Sequence, residues 1–286
     1  MPGSMRRAEV ACLSPAGFHD MAYVERGPER AARPVVCVHG LTRNGRDFDA
    51  LAERLAAAGR RVVCPDVVGR GASGRLADAA GYGYPQYLAD MAVLMGRLDC
   101  AELDWVGTSM GGLIGMMLAA QAGTPVRRLV VNDVGPFIPR AALERLATYV
   151  GSDPHFPDLE AAEAYFREVH APFGALSDSE WRHLTETSVR ADPAGGFRLN
   201  YDPGIAAAFK PGEMEDIDLW AVWDRISAPS LVLRGAESDL LLTETAEAMT
   251  GRGPEATLVT VPGCGHAPAL LEDSQTDPIL AWLSHD

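Results

Sequence analysis

The amino-acid sequence predicts an α/β protein built on an open, mostly parallel β-sheet with helices on both faces. Short apolar runs rich in β-branched residues and bounded by Gly, Pro or Asp have the character of buried parallel strands. Helix-like stretches alternate with these runs, and such alternation implies right-handed crossovers onto one sheet. With 286 residues, 47% of them hydrophobic, the chain is long and apolar enough to bury a sizeable core.

The elements follow in order along the chain. The predicted strands cover residues 34–38, 61–64, 103–106, 129–131, 230–233 and 257–261. The predicted helices among them cover residues 48–58, 87–98, 110–121 and 244–249.

The strand pattern breaks between Gly135 and about Asp224. Pro, aromatic and acidic residues there interleave with helical patterns at 159–169 and 179–189, and strand-like runs vanish until Pro229. We therefore expect 1–134 and 226–286 to form one core, and 135–225 to be a helical cap inserted in it. Ligands of open α/β sheets bind at the carboxyl edge of the strands, so the cap should lie over that edge.

Charge and cysteine content narrow the partners and the compartment. The formal charge is −14 and the pI about 4.9, so a polyanion would be repelled and nucleic acid is not expected as a partner. The five scattered cysteines contain no C-x-x-C pair, which predicts free thiols in a reducing cytoplasm and no metal. No apolar run is long enough for export or membrane spanning, so no membrane partner is expected; the oligomeric state is not predicted.

Ser109 is the candidate nucleophile. G-T-S-M-G at residues 107–111 matches G-x-S-x-G, the strained turn that holds a serine between a strand and a helix. Glycine is needed two residues before and after the serine because the backbone approaches itself there. The pattern alone is weak, but a predicted strand directly precedes it and a predicted buried helix follows. The alternative is a glycine-rich turn that only packs a helix on the sheet.

His266 is the candidate base. A serine hydroxyl is a poor nucleophile near neutral pH, so it needs a base within hydrogen-bond reach and a third group that orients the base. His266 ends G-C-G-H at 263–266, directly after the last predicted strand, at the sheet edge that displays Ser109. Proteins with this type of turn have the serine, the acid and the histidine in that order along the chain, and the candidates here follow the same order.

Asp239 is the preferred acid among three candidates. It lies in R-G-A-E-S-D at 234–239, a turn long enough to bring a short carboxylate back toward the histidine loop, whereas Glu237 is nearer the strand end. Asp133, after the preceding strand, is the third candidate. Each of these residues has the alternative role of a turn former or helix cap.

Two backbone N–H groups are candidates for an oxyanion hole. Met110 follows the nucleophile, and Leu41 follows H-G at 39–40, where the glycine lets the backbone approach a substrate. His39 itself is expected to be structural rather than catalytic.

These motifs together resemble the α/β-hydrolase superfamily. They are H-G at 39–40, P-D-x-x-G-x-G-x-S at 65–73, G-T-S-M-G-G at 107–112, R-G-x-x-S-D at 234–239 and G-x-G-H at 263–266. The resemblance spans the chain outside the predicted cap. It implies a core sheet of about eight strands and cofactor-free hydrolysis of an ester or related bond. It also rejects the dinucleotide site that G-x-G-x-x-G at 69–74 would suggest alone.

The resemblance implies a serine hydrolase that cleaves a carboxylic ester of a small, largely apolar molecule through an acyl-enzyme. The serine at 109 argues against dehalogenases and epoxide hydrolases, which carry Asp as the nucleophile. Carbon-carbon bond hydrolases usually continue their oxyanion loop as H-G-x-G-P-G, from which H-G-L-T-R-N-G at 39–45 departs. A carbon-carbon hydrolase, a lactonase and a non-catalytic ligand-binding protein of this fold remain alternatives.

Substrate selection is expected to belong mainly to the cap. Its aromatic residues are either the walls of an apolar pocket or the core of the cap itself. They are Phe137, Tyr165, Phe166, Phe173, Trp181, Phe209, Trp220 and Trp223. Arg43, Arg46 and Arg70 lie in loops at the edge of the predicted site and are candidates for binding a substrate carboxylate.

Overall fold

The computed structural model describes residues 4–209 and 214–284. Its strands are β1 (Arg6–Ser14), β2 (Gly17–Arg26), β3 (Val35–Val38), β4 (Val62–Pro65), β5 (Leu103–Thr108), β6 (Val126–Asn132), β7 (Phe137–Ile138), β8 (His155–Phe156), β9 (Val189–Ala191), β10 (Phe197–Leu199), β11 (Ile217–Asp218), β12 (Ser230–Gly235) and β13 (Thr257–Val261). Its α-helices are α1 (Asp49–Ala57), α2 (Tyr84–Leu98), α3 (Met110–Ala119), α4 (Arg140–Ala147), α5 (Leu159–Val169), α6 (Asp178–Ser188), α7 (Trp220–Trp223), α8 (Thr243–Met249) and α9 (Asp273–Ser284).

An eight-stranded, mostly parallel sheet forms the centre, which confirms the predicted fold class. The strand order is β1-β2-β4-β3-β5-β6-β12-β13. The six strands from β4 to β13 in this order are parallel, and β1, β2 and β4 pair in antiparallel fashion. These six parallel strands are the six that the sequence predicts, each displaced by at most a few residues at its ends. Parallel strands aim their carboxyl ends at one edge, so β3, β5, β6, β12 and β13 deliver their following loops to the same place.

The antiparallel hairpin of β1 and β2 is absent from the sequence prediction. Its strands pair from Arg6 opposite Glu25 to Ser14 opposite Gly17. β1 has charged and small residues in alternation and buries few side chains fully, because it forms the outer edge of the sheet. The apolar signal of a central strand is therefore missing there.

The chain between β6 and β12 forms helices and two small sheets. Strands β8, β10 and β9 make a three-stranded antiparallel sheet, and β11 pairs with β7. Helix α5 has the predicted bounds, and Ser177 caps α6 through a reciprocal bond with Glu180. The segment contains the expected helical structure, together with short strands that the sequence analysis did not predict. Strands of two or three residues, such as β9 with its Val-Arg-Ala sequence, are too short to produce an alternating pattern.

Trp105 on β5 binds to and packs against α3, the helix that follows this strand. The indole is fully buried, and its Nε1–H donates to the carbonyl oxygen of Gly111 at 2.9 Å. A β-carbon on Gly115 would lie 2.3 Å from the same indole nitrogen, so α3 packs directly on the ring. This packing fixes the start of α3, and with it the turn that carries Ser109.

Candidate active site

Ser109 occupies a tight turn between β5 and α3. Its backbone φ is 51° and ψ is −115°, a conformation that non-glycine residues rarely adopt. A β-carbon on Gly107 would lie 2.2 Å from the carbonyl oxygen of Gly111, and one on Gly111 would lie 1.9 Å from that of Val38. No side chain fits at either glycine, so the turn closes tightly and presents the Ser109 hydroxyl at the carboxyl edge of the sheet.

The structure places His266 against Ser109. Nε2 of His266 lies 3.0 Å from Oγ of Ser109, and its Nδ1 lies 2.8 Å from Oδ2 of Asp133. A carboxylate accepts only, so Nδ1 carries the proton of the neutral ring and Nε2 has its lone pair directed at the serine. This is the arrangement in which a histidine accepts a proton from a hydroxyl.

Asp133, rather than Asp239, is the carboxylate that His266 contacts. Asp133 directly follows β6 and is fully buried; it also accepts hydrogen bonds from the Gly235 N–H at 2.8 Å and the Ser238 hydroxyl at 2.6 Å. The expectation that Asp239 reaches His266 is wrong, because Asp239 forms a half-exposed ion pair with Arg145.

The turn after β12 explains the difference between the three acid candidates. Ser238 points inward to Asp133, whereas Glu237 and Asp239 on either side of it are exposed. The turn therefore donates a hydrogen bond from Ser238 to Asp133, and the carboxylates of Glu237 and Asp239 point to the surface.

Asn132 is a supporting residue that the sequence analysis missed. Its side-chain amide donates to the Thr108 hydroxyl at 3.1 Å and to the Pro268 carbonyl at 2.9 Å. Its backbone carbonyl accepts from the Ser109 N–H at 2.9 Å. Asn132 thus connects the serine turn, the strand before Asp133 and the loop of His266. A polar Asn-Asp pair directly after a buried strand was the signal available for both residues.

The loop after β3 lies beside the nucleophile. A β-carbon on Gly40 would be 3.7 Å from the β-carbon of Ser109. The Gly40 carbonyl accepts from Nδ1 of His39 at 2.7 Å, and the Leu41 carbonyl accepts from Nε of Arg70 at 2.9 Å. Met110 is the first residue of α3, so its N–H has no acceptor within the helix.

His39 has a structural role, as the sequence suggests. It is fully buried, its Nε2 accepts from the Val67 N–H at 2.9 Å, and Nδ1 donates to Gly40. Burial lowers the pKa of His39 to about 3, so the ring is neutral at ordinary pH and holds one loop against the next.

Two cavities meet at Ser109. The first, which we call the apolar cavity, has a volume of about 190 Å³. Its lining is Leu41, Tyr82, Gly83, Tyr84, Tyr87, Ser109, Met110, Leu113, Val134, Ile138, Leu143, Leu146, Ile205, Phe209, Met214, Ile217 and Leu240. Among the described residues this lining carries no ionised side chain, which suits the hydrocarbon part of a small molecule.

The second cavity, which we call the Arg43 cavity, has a volume of about 60 Å³. It is lined by Arg43, His266, Tyr149, His170 and Phe173, among others, and it shares Ser109 and Leu41 with the apolar cavity. Burial, with Arg43 and His266 adding to it, holds the pKa of His170 well below its usual value, so this ring is neutral.

The predicted aromatic and arginine candidates separate in the structure. Phe209 lines the apolar cavity and Phe173 the Arg43 cavity. Five of the other aromatic candidates lie in the core or pack against it, and Phe137 is half-buried on β7. Arg70 is fully buried and holds Leu41, Val68 and Tyr87, and Arg46 pairs with Asp49. Of the three arginines, Arg43 is the one that lines a cavity at Ser109.

One cluster in the described part of the chain has metal-ligand residue types close together. Ligand atoms of Cys12, His19 and Asp90 lie within 4.8 Å of one another. His19 and Asp90 are hydrogen-bonded at 3.0 Å, and Gln86 donates to Asp90 at 2.7 Å. Burial and the nearby Asp90 raise the pKa of the Cys12 thiol to about 12. A protonated thiol is a poor metal ligand, so the cluster fits a hydrogen-bonded core group better than a metal site.

The glycine-rich loop at 69–74 does not form a phosphate cradle. Carboxylate oxygens of Asp66 accept from the N–H groups of Gly45 and Ala72, both at 2.7 Å. The remaining N–H groups of residues 69–74 donate to backbone carbonyl oxygens, so the amides that an anion would need are already occupied. Through residues 4–209 and 214–284, no helix combines the length and apolarity required to cross a bilayer.

Comparison with known proteins gives the family. The model of the alpha/beta hydrolase family matches residues 35–281. The chain is 46% identical over 285 residues to a 3-hydroxybutyrate-oligomer hydrolase of Cupriavidus necator, with 96% of each chain covered. It is 27% identical to a 2-hydroxy-6-oxo-2,4-heptadienoate hydrolase of Pseudomonas putida, covering 82% of this chain and 83% of that one. A crystal structure of an alpha/beta hydrolase from Novosphingobium aromaticivorans superposes with a TM-score of 0.87 at 33% identity, covering 98% of this chain and 99% of that one. The chain therefore belongs to the alpha/beta hydrolase family and is a hydrolase.

Proposed function

We propose that this enzyme hydrolyses carboxylic esters of small molecules through an acyl-enzyme on Ser109. The observation that carries the proposal is the continuous hydrogen-bonded chain from the Ser109 hydroxyl through His266 to Asp133. The apolar cavity beside Ser109 supports a largely hydrocarbon acyl group. The 46% identical relative is named for hydrolysis of 3-hydroxybutyrate oligomers, and this supports esters built from hydroxy acids as the substrate class.

The first half-reaction transfers the acyl group to the enzyme. Oγ of Ser109 attacks the ester carbonyl carbon while Nε2 of His266 takes the hydroxyl proton. Asp133 stabilises the resulting imidazolium through Nδ1, and the Gly235 N–H keeps that carboxylate in place. The N–H groups of Leu41 and Met110 stabilise the negative oxygen, and losing one such donor typically costs about 3 kcal/mol.

Collapse of the tetrahedral intermediate completes this acylation: the carbon–oxygen bond of the ester breaks, and His266 gives its proton to the leaving alcohol oxygen. The second half-reaction regenerates the serine. Water then gives a proton to His266 and attacks the acyl carbon, and the carboxylic acid leaves as Ser109 regains its proton. Side chains and water carry every proton and electron pair in this scheme, so the proposal is cofactor-free.

The surroundings of the site belong to the same proposal. We assign residues 135–225 as a cap, because Ile138, Leu143 and Ile205 from this segment line the apolar cavity. The five cysteines are unpaired in the structure, which favours a reducing cytoplasm. The proposed partner is a small ester, without nucleic acid or membrane.

Cleavage of a carbon-carbon bond is the second candidate, favoured by the likeness to the Pseudomonas putida hydrolase. Both reactions can use the same serine, histidine and aspartate. They differ in their products, since ester cleavage releases an alcohol and carbon-carbon cleavage does not.

Covalent labelling tests the proposal directly. Intact mass is measured after fluorophosphonate treatment of the wild type, Ser109→Ala and the control Ser274→Ala, whose serine is exposed. Hydrolysis of p-nitrophenyl esters from acetate to decanoate is followed in parallel. We expect one adduct and ester turnover in the wild type and control, and neither in Ser109→Ala with its fold intact. An adduct elsewhere, or ester turnover retained by Ser109→Ala, would refute the assignment.

A further inference from the structure

Arg43 has a buried donor that the protein itself does not satisfy. Its side chain is only 5% exposed. Nε and Nη2 donate to the two oxygens of Asp47, at 2.9 and 2.6 Å. Among the described residues Nη1 has no hydrogen-bond partner. A buried charged donor without an acceptor costs free energy. A substrate that supplies an acceptor to Nη1 would therefore bind more tightly.

The edge of the guanidinium away from Asp47 is suited to a second carboxylate. Asp47 occupies the Nε and Nη2 edge, which leaves the two N–H groups of Nη1 and the second N–H of Nη2. The rings of Phe166 and Phe173 lie 5.7 and 6.0 Å from Cζ of Arg43, and the side chain is largely shielded from solvent. Charge-assisted hydrogen bonds are stronger in such a desolvated place than in water.

The charges around the Arg43 cavity are few and can be named. Asp47 also lines this cavity, but both of its carboxylate oxygens accept hydrogen bonds from Arg43, and His170 is neutral. Asp133 lies behind His266, whose ring separates it from the cavity lining. Arg43 is thus the cationic side chain that a ligand in this cavity meets, and its Nη1 is the donor that still lacks an acceptor.

The position of His266 decides which part of an ester lies beside Arg43. In the proposed reaction His266 protonates the leaving alcohol, so the alcohol part must lie on the histidine side of Ser109. His266 lines the Arg43 cavity, and the lining of the apolar cavity contains Met110, Leu113 and Val134 instead. The acyl part therefore extends into the larger apolar cavity and the alcohol part into the smaller Arg43 cavity.

We propose that Arg43 binds a carboxylate carried by the leaving alcohol, so that the preferred substrates are esters whose alcohol part is a short hydroxy acid. This inference rests on the proposed ester hydrolysis and adds a substrate class and a direction to it. The Arg43 cavity has about a third of the volume of the apolar cavity, 60 against 190 Å³. The enzyme should therefore remove one hydroxy-acid unit at a time from the carboxylate end of an oligomer.

A matched pair of substrates tests the role of the carboxylate. The pair is 3-(butanoyloxy)butanoic acid and its methyl ester, in which a methyl group replaces the charge; cleavage is followed as release of butanoate, so that loss of the methyl group is not counted. We expect the wild type to have at least a tenfold higher kcat/KM for the acid. Arg43→Gln should reduce this preference at least tenfold, mainly through KM of the acid, and Arg43→Lys should restore part of it. Arg46→Gln, in the same loop but paired with Asp49, is the control and should keep the preference.

The outcomes separate this inference from the proposed function. If the wild type cleaves the methyl ester as well as the acid, or if Arg43→Gln lowers both equally, Arg43 does not bind the carboxylate. If the wild type cleaves neither substrate and Ser109 takes no fluorophosphonate, ester hydrolysis itself is refuted.

The direction of cleavage can be tested with the wild-type enzyme alone. A linear 3-hydroxybutyrate trimer carrying ¹³C in its carboxyl-terminal unit should release labelled monomer and unlabelled dimer first. Release of unlabelled monomer first would overturn the inferred direction.

Discussion

Replacing Asp133 with Asn should abolish most of the ester turnover, because the amide would impose the wrong tautomer on His266. Asn has a single acceptor oxygen. If this oxygen keeps the bond from the Gly235 N–H, its NH₂ group faces Nδ1 of His266 and the Ser238 hydroxyl, where the carboxylate now accepts. Nδ1 must then accept a hydrogen bond, and the ring proton moves to Nε2. His266 can no longer take the proton of Ser109.

The size of the effect follows from this loss of the base. The equivalent change in a serine-protease triad lowers kcat by about 10⁴-fold, and we expect about 10³- to 10⁴-fold here, or roughly 4–5.5 kcal/mol of transition-state stabilisation. Asp239→Asn is the matched control. It removes only a half-exposed ion pair with Arg145, of a kind that contributes about 0–1 kcal/mol, and should leave kcat within about twofold.

The assay is the initial rate of p-nitrophenyl butyrate hydrolysis, with a thermal unfolding scan of each variant to verify the fold. Asp133→Asn should fold and still present Ser109. If Asp239→Asn is as inactive as Asp133→Asn, or if Asp133→Asn keeps more than a tenth of wild-type kcat, the identification of Asp133 as the orienting acid is refuted.

Two further predictions concern the scaffold. Gly111→Ala should destabilise the protein by about 3 kcal/mol or more in urea unfolding and impair turnover, because its β-carbon would lie 1.9 Å from the carbonyl oxygen of Val38. The control Gly96→Ala, at an exposed position of α2, should stabilise the protein by about 0.5–1 kcal/mol. A stable, fully active Gly111→Ala would contradict the close approach. The depressed pKa of His39, about 3 when folded against 6.5 for the free side chain, makes its contribution complete above pH 6.5 and progressively lost as pH falls toward 3. The stability lost in this way is roughly 2 kcal/mol at pH 5. His39→Gln should remove it, so that the unfolding free energy of the variant depends on pH with a slope smaller by one proton. An unchanged slope would show that His39 is not buried in its neutral form.

The six parallel strands of the central sheet can be predicted from sequence because most of them are locally distinctive apolar runs. Residues 34–38 and 129–131 are continuous apolar runs with clear boundaries, and burial on both faces requires such runs. Strand β1 is different: its Arg, Glu and Ala residues alternate at a sheet edge, and only pairing with β2 makes it a strand. Edge strands and two-residue strands depend on partners distant in sequence, which a local pattern does not contain.

The candidate site likewise has residues that local sequence identifies and one, the acid, that it does not. Ser109 is marked by the steric demands of its own turn, and His266 by a short glycine-rich loop after a strand, so local sequence points to both. The acid is not marked locally, since Asp133, Glu237 and Asp239 all follow strands and all precede His266. The choice depends on which way each side chain points. The inward direction of Ser238 and the outward direction of Asp239 are set by tertiary contacts.

The segment between β6 and β12, which we propose to be a cap, separates two kinds of evolutionary change. Ser109, Asp133 and His266 all lie outside residues 137–223, yet this segment supplies Leu143, Phe209 and many other walls of the two cavities. Mutations within this segment can reshape what fits without altering the groups that react. During evolution the preferred substrate can therefore change through substitutions in the cavity walls. The residues proposed to cleave the bond stay the same at each step.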